Sequence, residues 1–315
     1  MKIAVIIPCF NEAVTIGKVV ADFRSVLPDA DIFVYDNNSS DRTSEQARAA
    51  GAIVRQESRQ GKGTVVRRMF SDIEADIYIM VDGDDTYHAA SAPAMIKTLL
   101  DENADMVCSN RVDNKEAKTY RSGHRFGNWL LTNIIHLYFG GDFTDVLTGY
   151  RAFSRRFVKS FPCLTTGFDI EAELTIHSLV LHIPVAEVAA PYHERLEGSF
   201  SKLSTVKDGV KILHTITFLL RQEKPMAYYG ALGVLCALVS IILSIPVFLT
   251  FFETGLVPRF PTAFLSMGLM ILAGIFLICG LILDTVTKGR REMRLLAFLS
   301  IPHPSNTGEI FFDRS

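Results

Sequence analysis

Hydrophobic and polar positions follow two regimes along this chain. Up to about residue 224, short apolar, β-branched runs alternate with stretches whose apolar residues recur every three or four positions. KIAVIIP (2–8), DIFVYD (31–36), AIVRQE (52–57), DIYIMV (76–81) and DMVCSN (105–110) read as strands. Between the first two, NEAVTIGKVVADFRSVL carries Val14, Ile16, Val19, Val20 and Phe23 at helical spacing. Asp41 is placed to cap a helix reaching Ala50, which Gly51 ends. Lys62 to Ile73 reads as a further helix. Strands alternating with helices predict an α/β domain with a largely parallel sheet.

The second regime begins at Met226. No charged residue occurs between Met226 and Phe252, or between Thr262 and Leu283. About 20 apolar residues cross a bilayer core, so both segments are long enough to span, with Pro246 expected to kink the first. Lys207, Lys211, Arg221 and Lys224 precede them, and Lys288, Arg290, Arg291 and Arg294 follow. The linker ETGLVPRFP holds only Arg259 as a base. Positive flanks stay in the cytoplasm, which predicts a cell-membrane protein with both termini and the large N-terminal domain cytoplasmic. FGNWLLTNIIHLYF (126–139) and STVKDGVKILHTITFLLR (204–221) mix apolar and polar positions in a way that suits the membrane interface.

Composition changes this picture little. The net charge of −2 shows no basic excess, so no nucleic-acid partner is expected. The mean hydropathy of +0.24 is raised by the two long apolar segments. The five cysteines show no CxxC pair or metal-ligand spacing and read as reduced thiols.

Polar clusters fall at the ends of predicted strands: Asn11–Glu12, Asp36–Asn37–Asn38, Asp82–Asp84 and Asn110–Arg111. In open α/β sheets, ligands bind beyond the carboxyl ends of the strands. Neither GxGxxG nor GxxxxGK[ST] occurs there. Three carboxylates in VDGDDTYH, directly after an apolar strand, repel one another unless a cation joins them. Asp82 and Asp84 form D-x-D, hard oxygen ligands suited to Mg2+ or Mn2+.

IIPCFNE (6–12), DNNSSDRT (36–43), RQGKG (59–63) and DGDDT (82–86) together resemble family 2 glycosyltransferases of GT-A fold. NR (110–111), TDVLTGYRAFSR (144–155), GFDIEAEL (167–174) and ERLEGSFSKL (194–203) extend the resemblance over essentially all of residues 1–210. With the apolar hairpin, the chain is similar to polyprenyl-phosphate glycosyltransferases of the dolichol-phosphate mannose synthase type. The resemblance implies a Rossmann-like GT-A domain (1–203), a juxtamembrane amphipathic helix (204–224), two transmembrane helices (225–285) and a cytoplasmic tail (286–315). It implies a UDP- or GDP-linked sugar donor and a polyprenyl phosphate acceptor, undecaprenyl or dolichyl.

By the same resemblance, Pro8, Asn11, Glu12, Asp36, Asn38 and Lys62 line the donor pocket, and Asp82 and Asp84 hold the metal on its diphosphate. Arg111, Arg125, Asn128, Arg151, Arg195, Ser201 and Lys202 serve the acceptor phosphate. Asp169, Glu171 and Asp145 are candidates to orient the acceptor or take a proton. Related enzymes often carry DADLQ where this chain has DGDDT, so Asp85 and Thr86 depart from the pattern. One metal site and no evident covalent nucleophile predict a single inverting displacement. A glycosyltransferase extending a lipid-linked saccharide and a non-catalytic nucleotide-sugar binding protein remain open alternatives. Gly230, Gly233, Gly268 and Gly280 offer close-packing points for a homo-oligomer.

Overall fold

A computed structural model describes residues 1–112, 122–141, 143–167, 169–192 and 217–307, with side chains except at 111, 112, 122–129, 131, 306 and 307. Among these residues lies one seven-stranded sheet. Its strands are β1 (Ile3–Cys9), β2 (Asp31–Asp36), β3 (Ile53–Gln56), β4 (Ile77–Met80), β5 (Met106–Val112), β6 (Arg151–Ser154) and β7 (Val185–Pro191), in the spatial order β3-β2-β1-β4-β6-β5-β7. All neighbours are parallel except β6, which runs antiparallel to both β4 and β5.

The reversal of β6 decides which residues gather at one edge of the sheet. In the register Met80↔Arg151, β6 begins where β4 ends. The residues entering β6 therefore arrive at the edge where β1, β2 and β4 finish. Asn110 and Arg111 do not follow the fifth strand as the sequence pattern implied. They lie inside it, because pairing with β7 continues to Val112↔Pro191. β6 and β7 were not legible as strands: β6 is only four residues long, and VAEVAAP carries little β-branched bulk.

Helices α1 (Ile16–Val26), α2 (Thr43–Ala49), α3 (Lys62–Asp72), α4 (Ala92–Asp101), α5 (Ser122–Phe139), α6 (Arg155–Ser160) and α7 (Ile170–Val180) accompany the sheet. Ile16, Val19, Val20 and Phe23 of α1 pack with Val5, Ile7, Ile32 and Val34 of the strands in one core. Val14 stands outside the helix and is exposed, against the expected spacing. Asp41 accepts from Thr43 N–H (3.0 Å) at the start of α2, and Gly51 follows that helix with φ 91°.

Arg151 is a correction. Its guanidinium does not serve an acceptor phosphate but is fully buried at the start of β6. It donates to the carbonyls of Thr148 (3.0 Å) and Val146 (2.8 Å) and to Thr175 Oγ1 (3.0 Å). Those acceptors fix the turn that precedes β6.

The long apolar segments form α8 (Pro225–Thr254) and α9 (Phe260–Leu299), each long and apolar enough to cross a membrane. Pro246 sits inside α8. The chain divides into two compact units, residues 1–212 with 293–315, and residues 213–292. Within the second unit Ser240 Oγ donates to Ser266 O (2.6 Å). Gly233 lies against Ala273 O and Leu277, and Gly280 against Met226 and Tyr229, so both serve packing within the hairpin. Gly230 and Gly268 meet nothing within 4 Å. Within the first unit the C-terminal stretch is packed down: His303 Nε2 lies 3.0 Å from Ala104 O, and Arg156 stacks over Phe298 while donating twice to buried Asp105 (2.6 Å each).

His177 of α7 is buried between the rings of Phe157 and Phe161. Burial, assisted by the charge of Arg294, lowers its pKa to about 3. The unfolded chain therefore takes up a proton near pH 6.5 that the folded chain refuses. Stability should be complete above pH 6.5 and fall by about 1.4 kcal/mol per pH unit from there toward pH 3. Thermal unfolding across that window should show the decline in the parent protein, and His177→Gln should flatten it. An unchanged slope in the variant would contradict this assignment.

Candidate active site

Four chain segments meet at the sheet edge where β1, β2 and β4 end and β6 begins. After β1, Asn11 takes a left-handed backbone (φ 55°), and after β2 Asn38 does the same (φ 66°). Asparagine tolerates that conformation better than most residues. Asn11 N–H donates to Ser39 Oγ (2.9 Å), and its Oδ1 accepts from Ser40 N–H (2.8 Å). Glu12 N–H donates to Thr43 Oγ1 (2.8 Å). Asp36 is buried and accepts from Ser44 Oγ (2.5 Å) and Ser39 N–H (2.9 Å). The two loops are thus bonded into one structure, with Asp36 as its floor and Asn38 exposed above it. Pro8 is half-buried on β1, opposite Tyr35.

The acidic loop is clamped from below. Thr15 Oγ1 donates to Gly83 O (2.6 Å). A Cβ on Gly83 would fall 2.6 Å from Cys9 Sγ, so the loop reaches β1 only with glycine there. Asp84 is buried, and its Oδ1 accepts from Thr86 Oγ1 (2.6 Å). Asp85 is left-handed (φ 59°) and turns to Lys18 (2.8 Å). The two departures from the family pattern therefore have local partners.

Asp82 makes the central contact. Its Oδ1 lies 2.5 Å from Lys62 Nζ, and the same ammonium lies 2.5 Å from Glu171 Oε1. Lys62 is 9% exposed, Glu171 6% and Asp82 28%. Burial acts to lower the pKa of Lys62, but the charges of Asp82 and Glu171 reverse that and hold it well above the usual lysine range. Burial raises Glu171 above the usual glutamate range, with the Lys62 charge opposing.

Backbone contacts explain how Lys62 reaches this position. It opens α3 between Gly61 and Gly63. A Cβ at Gly61 would meet Thr166 O at 2.0 Å, and one at Gly63 would meet Thr165 O at 2.3 Å. Gly63 N–H also donates to Gly167 O (3.1 Å). The 165–167 segment lies directly on the two glycines and is itself held by Glu173, which accepts from Leu164 N–H (2.7 Å) and Thr165 N–H (2.9 Å). Asn37 ties down the other side, donating to Glu57 O (3.0 Å) and Arg59 O (2.7 Å) and accepting from Gly61 N–H (2.7 Å).

The structure thus joins Asp82, Lys62 and Glu171, and separately Asn11, Glu12 and Asp36. Asp169 is half-exposed just before α7, and Asp145 is buried with Oδ1 accepting from Leu147 N–H (3.1 Å). Arg111 lies on β5, and Arg125 and Asn128 on α5, with side chains outside the described residues. Arg195, Ser201 and Lys202, and most of the 204–221 stretch, lie outside the described residues altogether. Thr15 and Gly149 were not singled out from the sequence, and Asn37 was named only as part of the polar cluster after β2. GKG was the one visible hint of a close approach, and no local signal connects residue 62 to residue 171.

The donor set fits a hard divalent cation. Two carboxylates two positions apart stand on a glycine loop, and an ammonium already occupies part of the space between acidic side chains. Among the described residues no group of three or more His, Cys, Asp or Glu side chains could hold a metal. A cation held by Asp82 and Asp84 would have coordination positions left for phosphate oxygens.

This mixed sheet, with an acidic loop after its fourth strand, is GT-A-like, the architecture of nucleotide-sugar transferases. The model for glycosyl transferase family 2 matches residues 4–161, and the chain belongs to that family and is a glycosyltransferase. It is 53% identical over 155 residues to an uncharacterized protein of Shigella flexneri, covering 49% of this chain and 95% of that one. It is 33% identical over 232 residues to the glycosyltransferase AglJ of Haloferax volcanii, covering 73% and 76%. It is 29% identical over 222 residues to a dolichyl-phosphate hexose transferase of the same organism, covering 70% and 95%. The crystal structure of glucosyl-3-phosphoglycerate synthase from Mycobacterium tuberculosis with Mn2+, UDP-glucose and phosphoglyceric acid shares the fold. Its TM-score is 0.57 at 23% identity, over 70% of this chain and 78% of that one.

Gly149 offers a test of the geometry. A Cβ there would fall 2.3 Å from Asp82 Oδ2, the far end of a side chain, and the three nearest atoms all belong to Asp82. Gly149→Ala should keep the protein folded, shifting its melting temperature by only a few degrees. Sugar transfer should fall by about 100-fold, because displacing a positioned group by about 1 Å is enough for that. Unchanged turnover with a folded variant would exclude Asp82 from the site.

Proposed function

We propose that this chain is a membrane-bound, inverting glycosyltransferase that moves a sugar from a nucleotide-diphosphate sugar to a polyprenyl phosphate. One observation carries the reading: the acidic, lysine-balanced loop at the sheet edge belongs to the same chain as two helices of 30 and 40 residues, each apolar enough to cross a membrane. A soluble acceptor gives no reason for such helices, whereas a lipid acceptor does. The likeness to a dolichyl-phosphate hexose transferase supports the same choice.

Pro8, Asn11, Glu12, Asp36 and Asn38 would frame the nucleotide, through the bonded loops after β1 and β2. Asp82 and Asp84 would hold Mg2+ or Mn2+, which supplies neutralisation of the charge growing on the leaving diphosphate. Lys62 keeps Asp82 and Glu171 in place beside that charge. Glu171, with Asp169 and Asp145, would orient the acceptor. Arg111, Arg125, Asn128, Arg195, Ser201 and Lys202 would hold its phosphate, a task suited to guanidinium forks. That phosphate is already largely ionised near pH 7, since its second pKa is about 6, so no strong general base is needed. The basic flanks of the apolar helices support a catalytic unit on the cytoplasmic side of the cell membrane.

The test is transfer from a panel of UDP- and GDP-sugars to undecaprenyl and dolichyl phosphate in detergent, with Mn2+ or Mg2+ and again with EDTA. One donor should give a lipid-linked product that EDTA abolishes. NMR of that product should show a β-linkage formed from an α-linked donor. Transfer only to a saccharide, or a retained α-configuration, would contradict the proposal.

A further inference from the structure

Lys62 lies between Asp82 and Glu171, on one of the two carboxylates that form the D-x-D loop. We propose that Lys62 is a built-in counter-cation: it neutralises Asp82 and Glu171 when no donor is bound, suppresses metal binding to the bare protein, and so makes metal and nucleotide load together. The proposal rests on the reading that Asp82 and Asp84 hold the metal.

The physical case lies in the contacts. Asp82 Oδ1 is engaged by the ammonium at 2.5 Å, and its Oδ2 faces Gly149 closely enough that no Cβ fits between them. Oδ1 is therefore already engaged by a cation, and Oδ2 has Gly149 on one side. A divalent ion arriving alone must draw Asp82 away from Lys62, and meets the repulsion of its positive charge. Lys62 is tethered at both ends. Its backbone is fixed by Gly61 and Gly63 against Thr165 and Thr166, and its head group remains tied to buried Glu171. It also opens α3, whose N-terminal dipole adds positive potential at the same point. A diphosphate changes the balance. Its oxygens bring negative charge to both the metal and the ammonium, so a site hostile to the metal alone becomes favourable to the pair. By linkage, the factor by which nucleotide tightens metal binding equals the factor by which metal tightens nucleotide binding.

The measurement is Mn2+ binding followed by the free-ion EPR signal, on the full chain in detergent, with no donor and with UDP or GDP. Lys62→Met should bind Mn2+ at least about tenfold more tightly than the parent protein without nucleotide, and should gain less when nucleotide is added. Lys62→Arg, which keeps the charge, should behave like the parent. Lys62→Met leaves Glu171 buried without its partner, so the double variant Lys62→Met/Glu171→Gln removes that burden and should show the same tight binding. Asp84→Asn serves as the control for the site itself and should abolish binding. Loss of binding in Asp84→Asn, with equal or weaker binding in both Lys62→Met variants, overturns the counter-cation role and leaves the site assignment standing. Undiminished binding in Asp84→Asn overturns both.

Discussion

An ammonium held 2.5 Å from each of two carboxylates, with Lys62 and Glu171 buried and Asp82 partly exposed, is the contact around which this catalytic unit is arranged. Burying a single charge there would be prohibitive, and the three groups are tolerable only as a set. That requirement reaches far along the chain. Residues 62, 82 and 171 come from three separate elements, and a small displacement of any one strands the other two. Much of the surrounding structure consists of devices that prevent the displacement. Gly61 and Gly63 let backbone lie on backbone. Asn37 closes the near loop, Glu173 closes the far one, and Thr15 fixes the acidic turn from beneath.

The sheet order supplies the geometry these contacts need. β1, β2 and β4 end at one edge, which collects the two asparagine turns and the acidic loop. The antiparallel β6 then brings Thr148 and Gly149 in from the opposite direction, and buried Arg151 fixes the turn by gripping the carbonyls of Val146 and Thr148. An arginine that looks from its neighbours in the sequence like a phosphate ligand is thus a scaffold for the residue that backs Asp82. Of the six left-handed non-glycine residues among those described, three, Asn11, Asn38 and Asp85, fall at this edge beside the charged set.

Alternation of strands and helices made the first half of the domain legible, because β1, β2 and β4 are built on continuous apolar runs with turn residues between the elements. The polar clusters at their ends were legible for the same reason. Legibility failed where identity and environment part. Asn110 and Arg111 read as a loop but are paired along β7. Val14 fits the helical spacing of α1 but precedes the helix. Arg151 and Arg111 look alike as basic residues in the sequence, and only packing shows that the first is internal. The Lys62–Glu171 contact spans 109 positions and leaves no local trace. The two transmembrane helices were expected to end by residue 285. The second continues through a charged stretch to Leu299, and its final residues pack with the catalytic unit.

A double-mutant cycle on Lys62→Met and Glu171→Gln, read as unfolding free energy of the catalytic unit in detergent, tests the dependence on this charged set most directly. Lys62→Met leaves buried Glu171 without its partner and should cost about 3–5 kcal/mol, whereas Glu171→Gln leaves Lys62 paired with Asp82 and should cost less. The double change removes both, and should cost well under the sum of the two. Additive effects, within about 0.5 kcal/mol, would mean that the lysine and the glutamate do not act as one unit. The charged set would then not be what holds the site together.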